Sequence, residues 1–283
     1  MKTDRCRVIV FSKVFPGRDV DGLIAAAHEC GFEGYDLCLR QGYAIHPGNV
    51  RQALPDAQRR LRAEGLAIPM ISGEGNLVSP TDPSAEPILA AMDAADVRIL
   101  KLGYVSFVPG KQDYWAEVDK LRAACEGWEA LGRKYKVRIC LHAHAGMILC
   151  NCAAVMHAIR GRDPAWIGAY IDPCHMMMEG EGFALGAAML GAHVCMVGLK
   201  DVTVRRTPKS DHGSVTWDMG VSAGEGVVDW DEVFGVLGRM GFQGPLSAHC
   251  TVLNYGKIPV EKHVEYIRRE CAFFRRKRDA FLA

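Results

Sequence analysis

Eight short, β-rich apolar runs, each followed by a longer segment of helical pattern, constrain this chain more than any other feature of it. The runs fall at residues 7–11, 34–39, 67–72, 97–104, 137–142, 167–172, 194–200 and 246–249. Residues 19–30, 50–64, 84–95, 114–135, 152–160, 183–190, 230–240 and 260–277 read as helices that bury one face. Gly31 and Gly65 stop the first two helices, because glycine takes the left-handed conformation without steric cost. Ser84 reads as the cap of the third, with Pro87 in its first turn. Strands that alternate with helices in this way pair in parallel, each helix carrying the chain back across the sheet.

Eight such units in 283 residues indicate an α/β fold, a single (β/α)8 TIM barrel over residues 1–283, with an open doubly wound sheet as the rival. A polar stretch at residues 203–226 is too long for a routine connection. No linker, low-complexity segment or short repeat interrupts the alternation.

Composition excludes several partners. With 49% apolar residues, 24% charged residues and a formal net charge of +1, the chain has no electrostatic pull toward nucleic acid or an anionic membrane. Arg275, Arg276, Lys277 and Arg278 form the one dense basic run and read as a solvated helix end, with a phosphate-binding tail as the lesser reading. The eleven cysteines lie mostly in apolar runs, where a thiol acts as a small hydrophobe, and no CxxC pair supports a zinc ribbon or a redox motif. The absence of a signal-like N-terminal apolar stretch and of any 18-residue apolar run points to a cytoplasmic protein without a membrane span. Phe273, Phe274 and Phe281 are read as packing on the barrel, with a second subunit of a homo-oligomer as the alternative.

In such a barrel, catalysis lies at the C-terminal ends of the strands. Polar residues recur there: Asp36 or Arg40 after the second strand, Glu74 after the third, Lys101 and Tyr104 on the fourth, His142 and His144 on the fifth. Asp172 and His175 follow on the sixth, Lys200 and Asp201 on the seventh, His249 on the eighth. Ionised groups are costly to bury unpaired, so their convergence marks a site. His142 and His144 alternate and so face one side. With Asp172 and His249 they can surround one divalent ion, a shell that suits Zn, Mn, Fe or Co better than Ca or Mg. Blander readings stand beside this one. The two histidines can form a buried pair without metal, Asp172 before Pro173 can shape a turn, His249 can be a core histidine, and Lys200–Asp201 can be a simple ion pair.

Five segments resemble the xylose isomerase-like sugar isomerase/epimerase family. Residues 140–146 (Cys-Leu-His-Ala-His-Ala-Gly) resemble its strand carrying a metal-binding Glu and, two residues on, a His. Residues 170–175 resemble its Asp-x-x-His motif, residues 197–201 its His-x-Lys-Asp motif, and residues 224–230 its Gly-Glu-Gly loop. Residues 244–249 resemble its last strand, which carries a second Glu. The resemblance implies metal ligands at His142, Asp172 and His249. The family's two glutamates have become histidines, and its strand-seven histidine is Gly198. It further implies proton transfer beside a carbonyl, through an enediolate stabilised by the metal. A metal-bound imidazole has no lone pair left to act as base, so Glu74, His144, His175 or Lys200 would take that role. Lys101, Tyr104 and Arg205 are expected to bind substrate. Arg205, Arg206, Lys209 and His212 of the long polar stretch can bind an acidic group or remain solvated, and Glu179 and Glu181 are expected near the same site.

Three functions follow as expectations. The first is a divalent-metal-dependent isomerase or epimerase of a carbohydrate or a related polyol or keto-acid. The second is a metal-dependent lyase, dehydratase or hydrolase on the same barrel, favoured by the two-His, one-carboxylate set. The third is a non-catalytic carbohydrate-binding barrel or a subunit of a larger enzyme, favoured by Gly198.

Overall fold

The computed structural model describes residues 6–208 and 213–282. Its strands are β1 (Val8–Phe11), β2 (Gly34–Cys38), β3 (Ala67–Ser72), β4 (Ile99–Lys101), β5 (Arg138–His142), β6 (Ile167–Ile171), β7 (Val194–Leu199), β8 (Thr203–Pro208), β9 (Gly213–Asp218) and β10 (Leu246–Ala248). All but β8 and β9 close a parallel barrel in the order β1-β10-β7-β6-β5-β4-β3-β2. Closure comes from β1, which pairs Val8 with Leu246 on one side and Phe11 with Asp36 on the other. The barrel strands are nearly continuous apolar runs because both of their faces are buried, one on the interior and one on the helices.

The outer layer is α1 (Val20–Cys30), α2 (Val50–Ala63), α3 (Ala85–Ala94), α4 (Tyr114–Tyr135), α5 (Cys152–Ile159), α7 (Phe183–Leu190), α8 (Trp230–Arg239) and α9 (His263–Phe281), with a short α6 (Pro173–Met178) directly after β6. Local chemistry sets their ends. Asp19, Asp113, Asn151 and Asp229 accept from the backbone N–H three residues on, satisfying donors that the first helical turn leaves free. Gly31, at φ 73°, closes α1. Ser84 does occupy the cap position of α3, but its hydroxyl donates to Asp82 Oδ1 instead of capping the helix.

Other expectations shift. The fourth strand, read over residues 97–104, is only Ile99–Lys101. Beyond it the chain turns toward the loop after β3, with Gly103 N bonded to Leu77 O and Tyr104 N to Gly75 O at 2.8 Å each. Gly103 lies so close to the Gly75 backbone that a side chain there would overlap it. The polar stretch after β7 begins as a two-stranded antiparallel hairpin, β8–β9, before the loop into α8. The last helix begins at His263, after a 3-10 turn, and runs on to Phe281. Its basic run is not simply solvated: Arg278 pairs with Glu33 at 2.6 Å and Lys277 with Asp231 at 2.7 Å, tying α9 to its neighbours. Phe274 packs edge-on against Trp230 of α8, ring centroids 4.8 Å apart, as read, whereas Phe281 is exposed.

Inside the barrel an apolar layer (Ile9, Met70, Cys140, Met196) underlies the mouth. Cys140 and Cys195 bring their sulfurs together there beside Gly168, whose bare backbone leaves them room. These two depart from the expectation of isolated apolar thiols. Among the described residues, no helix is long and apolar enough to cross a membrane.

Candidate active site

Most of the buried polar side chains lie in one tier at the C-terminal ends of the strands: Asp36, Ser72, Lys101, His142, Asp172, Lys200, Asp201 and Ser247, with His175 one turn into α6. Parallel strands in register place alternate residues inward at matching heights. Ser72 lies opposite Lys101 and His142 opposite Tyr170, so one tier closes around the mouth. A surface hollow of about 670 Å³, lined by Pro83, Glu86, Gly127 and Tyr135, lies on the outer helices and holds no such cluster.

His142, Asp172 and His175 come together, each offering a donor atom within 4.8 Å of the other two. Asp172 ends β6 and caps α6, with Oδ1 accepting from Cys174 N at 3.0 Å. That cap, with Pro173 behind it, turns the chain so that His175 faces back into the mouth. Both ring nitrogens of His142 and Nδ1 of His175 are buried without a hydrogen-bond partner. Lys200 Nζ lies 2.8 Å from Asp172 Oδ2 and 2.7 Å from His175 Nε2.

His249 is not part of this gathering. Its Nε2 is hydrogen-bonded by the Tyr170 hydroxyl, and the Tyr170 ring stacks flat on His142, centroids 3.9 Å apart and 2° from parallel. Of the trio read from the sequence, His142 and Asp172 therefore gather with His175, while His249 is hydrogen-bonded to Tyr170. Gly198 has the same cause. A Cβ there would overlap the Tyr170 hydroxyl and stand 2.7 Å from Asp172 Oδ2, so bare backbone on β7 makes room for the phenol. Tyr170 is the residue that reading the sequence missed. The signal for it was a glycine in the middle of a strand, which marks the close approach of something large.

The other site candidates divide. His144 follows the end of β5, and its ring lies 3.7 Å from that of His175 and 4.6 Å from that of Tyr104. Its Nδ1 lies 2.8 Å from Ala145 O, which can only accept, so Nδ1 carries the proton and Nε2 the free lone pair. Lys101 Nζ sits 3.6 Å above the Tyr104 ring. Arg205 is not brought to the mouth: it is exposed on β8 and paired with Asp218 at 3.1 Å. Glu74 is half-buried in the turn after β3, and its carboxylate makes no hydrogen bond or ion pair among the described residues. Glu179 and Glu181 accept from the backbone N–H groups of Gly146 and Cys152, stapling the β5–α5 loop. Lys209 and His212 lie outside the described residues. Lys200 and Asp201 do not pair with each other. Asp201 accepts from Val202, Gly224, Gly226 and Val228 N and from Trp230 Nε1, at 2.8–3.2 Å. A side chain on Gly226 would overlap its carboxylate, so this anchor accounts for the second glycine of Gly224-Glu225-Gly226.

Burial governs the electrostatics. It holds the His142 and His249 imidazoles well below their ordinary value, with Lys101 and Lys200 adding to the effect. Burial and then Lys200 act the same way on His175, and His144 is lowered to about 4. Lys101 is brought down to about 7 by burial, against the pull of Asp36. Burial raises Asp172 against the attraction of Lys200. The imidazoles are thus neutral, the form in which histidine ligates a metal. Two neutral imidazoles and one carboxylate, three of whose ring nitrogens lack partners, form a donor set that fits a borderline divalent cation.

No curated protein sequence matches the chain. Solved structures do. A 3-keto-D-glucoside 4-epimerase, YcjR, from E. coli matches with a TM-score of 0.73 at 13% identity, covering 96% of this chain and 100% of that one. A D-allulose 3-epimerase from Methylomonas sp., in complex with D-allulose, matches with a TM-score of 0.69 at 14% identity, covering 96% and 97%. The IolI protein with a bound zinc atom matches with a TM-score of 0.73 at 11% identity, covering 97% and 99%. At these identities the likeness is one of fold. The model of the xylose isomerase-like TIM barrel matches residues 24–277 of the sequence itself, and with the closed eight-stranded barrel this establishes that the chain belongs to that family.

Proposed function

We propose that the chain is an isomerase or epimerase of a sugar or sugar derivative, moving a proton on the carbon next to a carbonyl, with a divalent cation held by His142, Asp172 and His175. One observation carries this reading. His142, 4% exposed, has both ring nitrogens without a partner beside two further donor residues, a vacancy that a buried imidazole does not otherwise sustain. The epimerases among the structural neighbours, one with a sugar bound and another protein with zinc, support the same chemistry.

A cation so held polarises a carbonyl and stabilises the oxygen charge that develops when the neighbouring proton leaves. The chain's own residues supply the rest. His144, half-buried and with its lone pair on Nε2, is the group we assign to take the proton. Tyr104, with the Lys101 Nζ 3.6 Å above its ring and His144 beside it, forms the wall against which the sugar lies. Tyr170 and His249, joined by a hydrogen bond, form a second proton-carrying pair, with the Tyr170 ring stacked on His142. Neither Arg205 nor Glu74 has a role in this arrangement.

The test is exchange. Incubated in deuterated water with zinc or manganese and a panel of keto-sugars, the protein should place deuterium on the carbon next to the carbonyl of at least one of them. His144→Ala should lose most of that exchange. No incorporation across the panel overturns the reading. The two-imidazole, one-carboxylate set also favours a second reading, elimination or hydrolysis at an open cation position. Product mass separates the two, since isomerisation conserves it.

A further inference from the structure

Lys200 does not merely adjoin the donor atoms assigned to the cation; it holds them. Its Nζ is 2.8 Å from Asp172 Oδ2 and 2.7 Å from His175 Nε2. An ammonium has only protons to give, so Nε2 is the acceptor. A neutral imidazole has one lone pair, and here it points at Lys200. The other nitrogen, Nδ1, then carries the proton and has nothing to offer a metal. On Asp172, Oδ1 is occupied by Cys174 N, and Oδ2 is the atom facing Lys200. The lysine is 5% exposed, so no water shell screens it from these partners.

We propose that the Lys200 ammonium is the resident cation of this site, and that a metal ion and Lys200 exclude each other from Asp172 and His175. This rests on the cation reading above and adds how the site is controlled. Without metal, Lys200 supplies the positive charge that lets Asp172 stay buried beside three neutral imidazoles. With metal on Nε2, Lys200 must leave His175, because one lone pair cannot serve two cations, and beside Asp172 the two positive charges repel each other. The site therefore takes metal more weakly than its donors alone would. Its geometry is kept assembled in the meantime by a side chain on the neighbouring strand.

Lys101 provides the control. It is a second lysine in the same mouth and lowers the same histidines, yet it makes no hydrogen bond or ion pair to Asp172 or His175 among the described residues. Removing it tests charge alone; removing Lys200 tests charge plus occupation of the seat.

The experiment is calorimetric titration of zinc and of manganese into the metal-free full chain, its Lys200→Met variant and its Lys101→Met variant, with melting temperatures measured before and after metal. Lys200→Met should bind zinc at least tenfold more tightly than the unaltered chain, and Lys101→Met should gain several-fold less. Metal-free Lys200→Met should melt lower than the unaltered chain and recover more on adding zinc. Should Lys200→Met fail to fold, Lys200→Gln, uncharged and one atom shorter, is read the same way. If the unaltered chain binds zinc as tightly as Lys200→Met, or more tightly, this inference falls and the cation reading stands. If no folded variant binds either metal, the cation reading falls and takes the inference with it.

Discussion

Asp172 and Asp201 end neighbouring strands of the barrel, are both buried, and do opposite things. Asp201 receives five hydrogen bonds, one from the adjacent Val202 N–H, three from the Gly224–Val228 loop and one from the Trp230 indole, and so holds that loop against β7. Asp172 receives one backbone bond and turns its other oxygen to Lys200. Burial is the same for both; satisfaction is not. A buried carboxylate whose bonds are complete is a structural part, while one held by a single movable cation is open to chemistry.

The largest expected effect breaks the first half of that comparison. Asp201→Asn should cost about 3–5 kcal/mol in urea unfolding, because an amide nitrogen then faces N–H donors that have no other buried acceptor. Asp172→Asn, the same change one strand away, should cost less than Asp201→Asn, since it keeps the acceptor for Cys174 N and gives up one ion pair, to Lys200, instead of a set of five hydrogen bonds. It should nonetheless weaken zinc binding, which Asp201→Asn should spare in protein that remains folded. Equal destabilisation by the two would remove the distinction.

A third carboxylate sharpens it. Asp36 is fully buried on β2, with Oδ2 accepting from Ser247 at 3.0 Å and Oδ1 without a partner, and burial raises its carboxyl from 3.8 to about 6. The folded state therefore binds this proton more tightly than the unfolded state. Its contribution to stability is complete at low pH and is lost as pH rises through the window from about 4 to about 6. The span amounts to no more than about 3 kcal/mol. Lys101, lowered to about 7, remains charged in both states across that window and adds no slope there. Urea midpoints between pH 4 and 6 should show the decline in the unaltered chain relative to Asp36→Asn; parallel curves would contradict it.

The smallest effect concerns the space beside Asp172. Gly198→Ala should cost about 1–3 kcal/mol, because the new methyl overlaps the Tyr170 hydroxyl and presses on Asp172. Combining it with Tyr170→Phe should recover part of that loss. A cost unchanged in the double variant would show that the phenol is not what Gly198 accommodates.

Much of the fold was legible because its signals are local. Eight apolar runs marked eight barrel strands, and single residues such as Asp19 and Gly31 set helix ends through contacts within one turn. The shortened β4 escaped the reading because it depends on Gly103 meeting the distant backbone of Gly75. The β8–β9 hairpin escaped it because neither of its faces is buried, so no apolar period announces it. Of the site, His142, Asp172 and the tier around them could be read from strand ends alone.

The sequence by itself determined that eight strands alternate with helices and that charged and imidazole groups end those strands, because side-chain period and capping act over a few residues. Only the tertiary structure decided which of those groups meet. Closure of the barrel laid the Tyr170 ring on His142 and its hydroxyl on His249, and the turn into α6 brought His175 back to Asp172 and Lys200. Those partners depend on the register of strands far apart in the chain and on the room left by one glycine, and no local pattern encodes either.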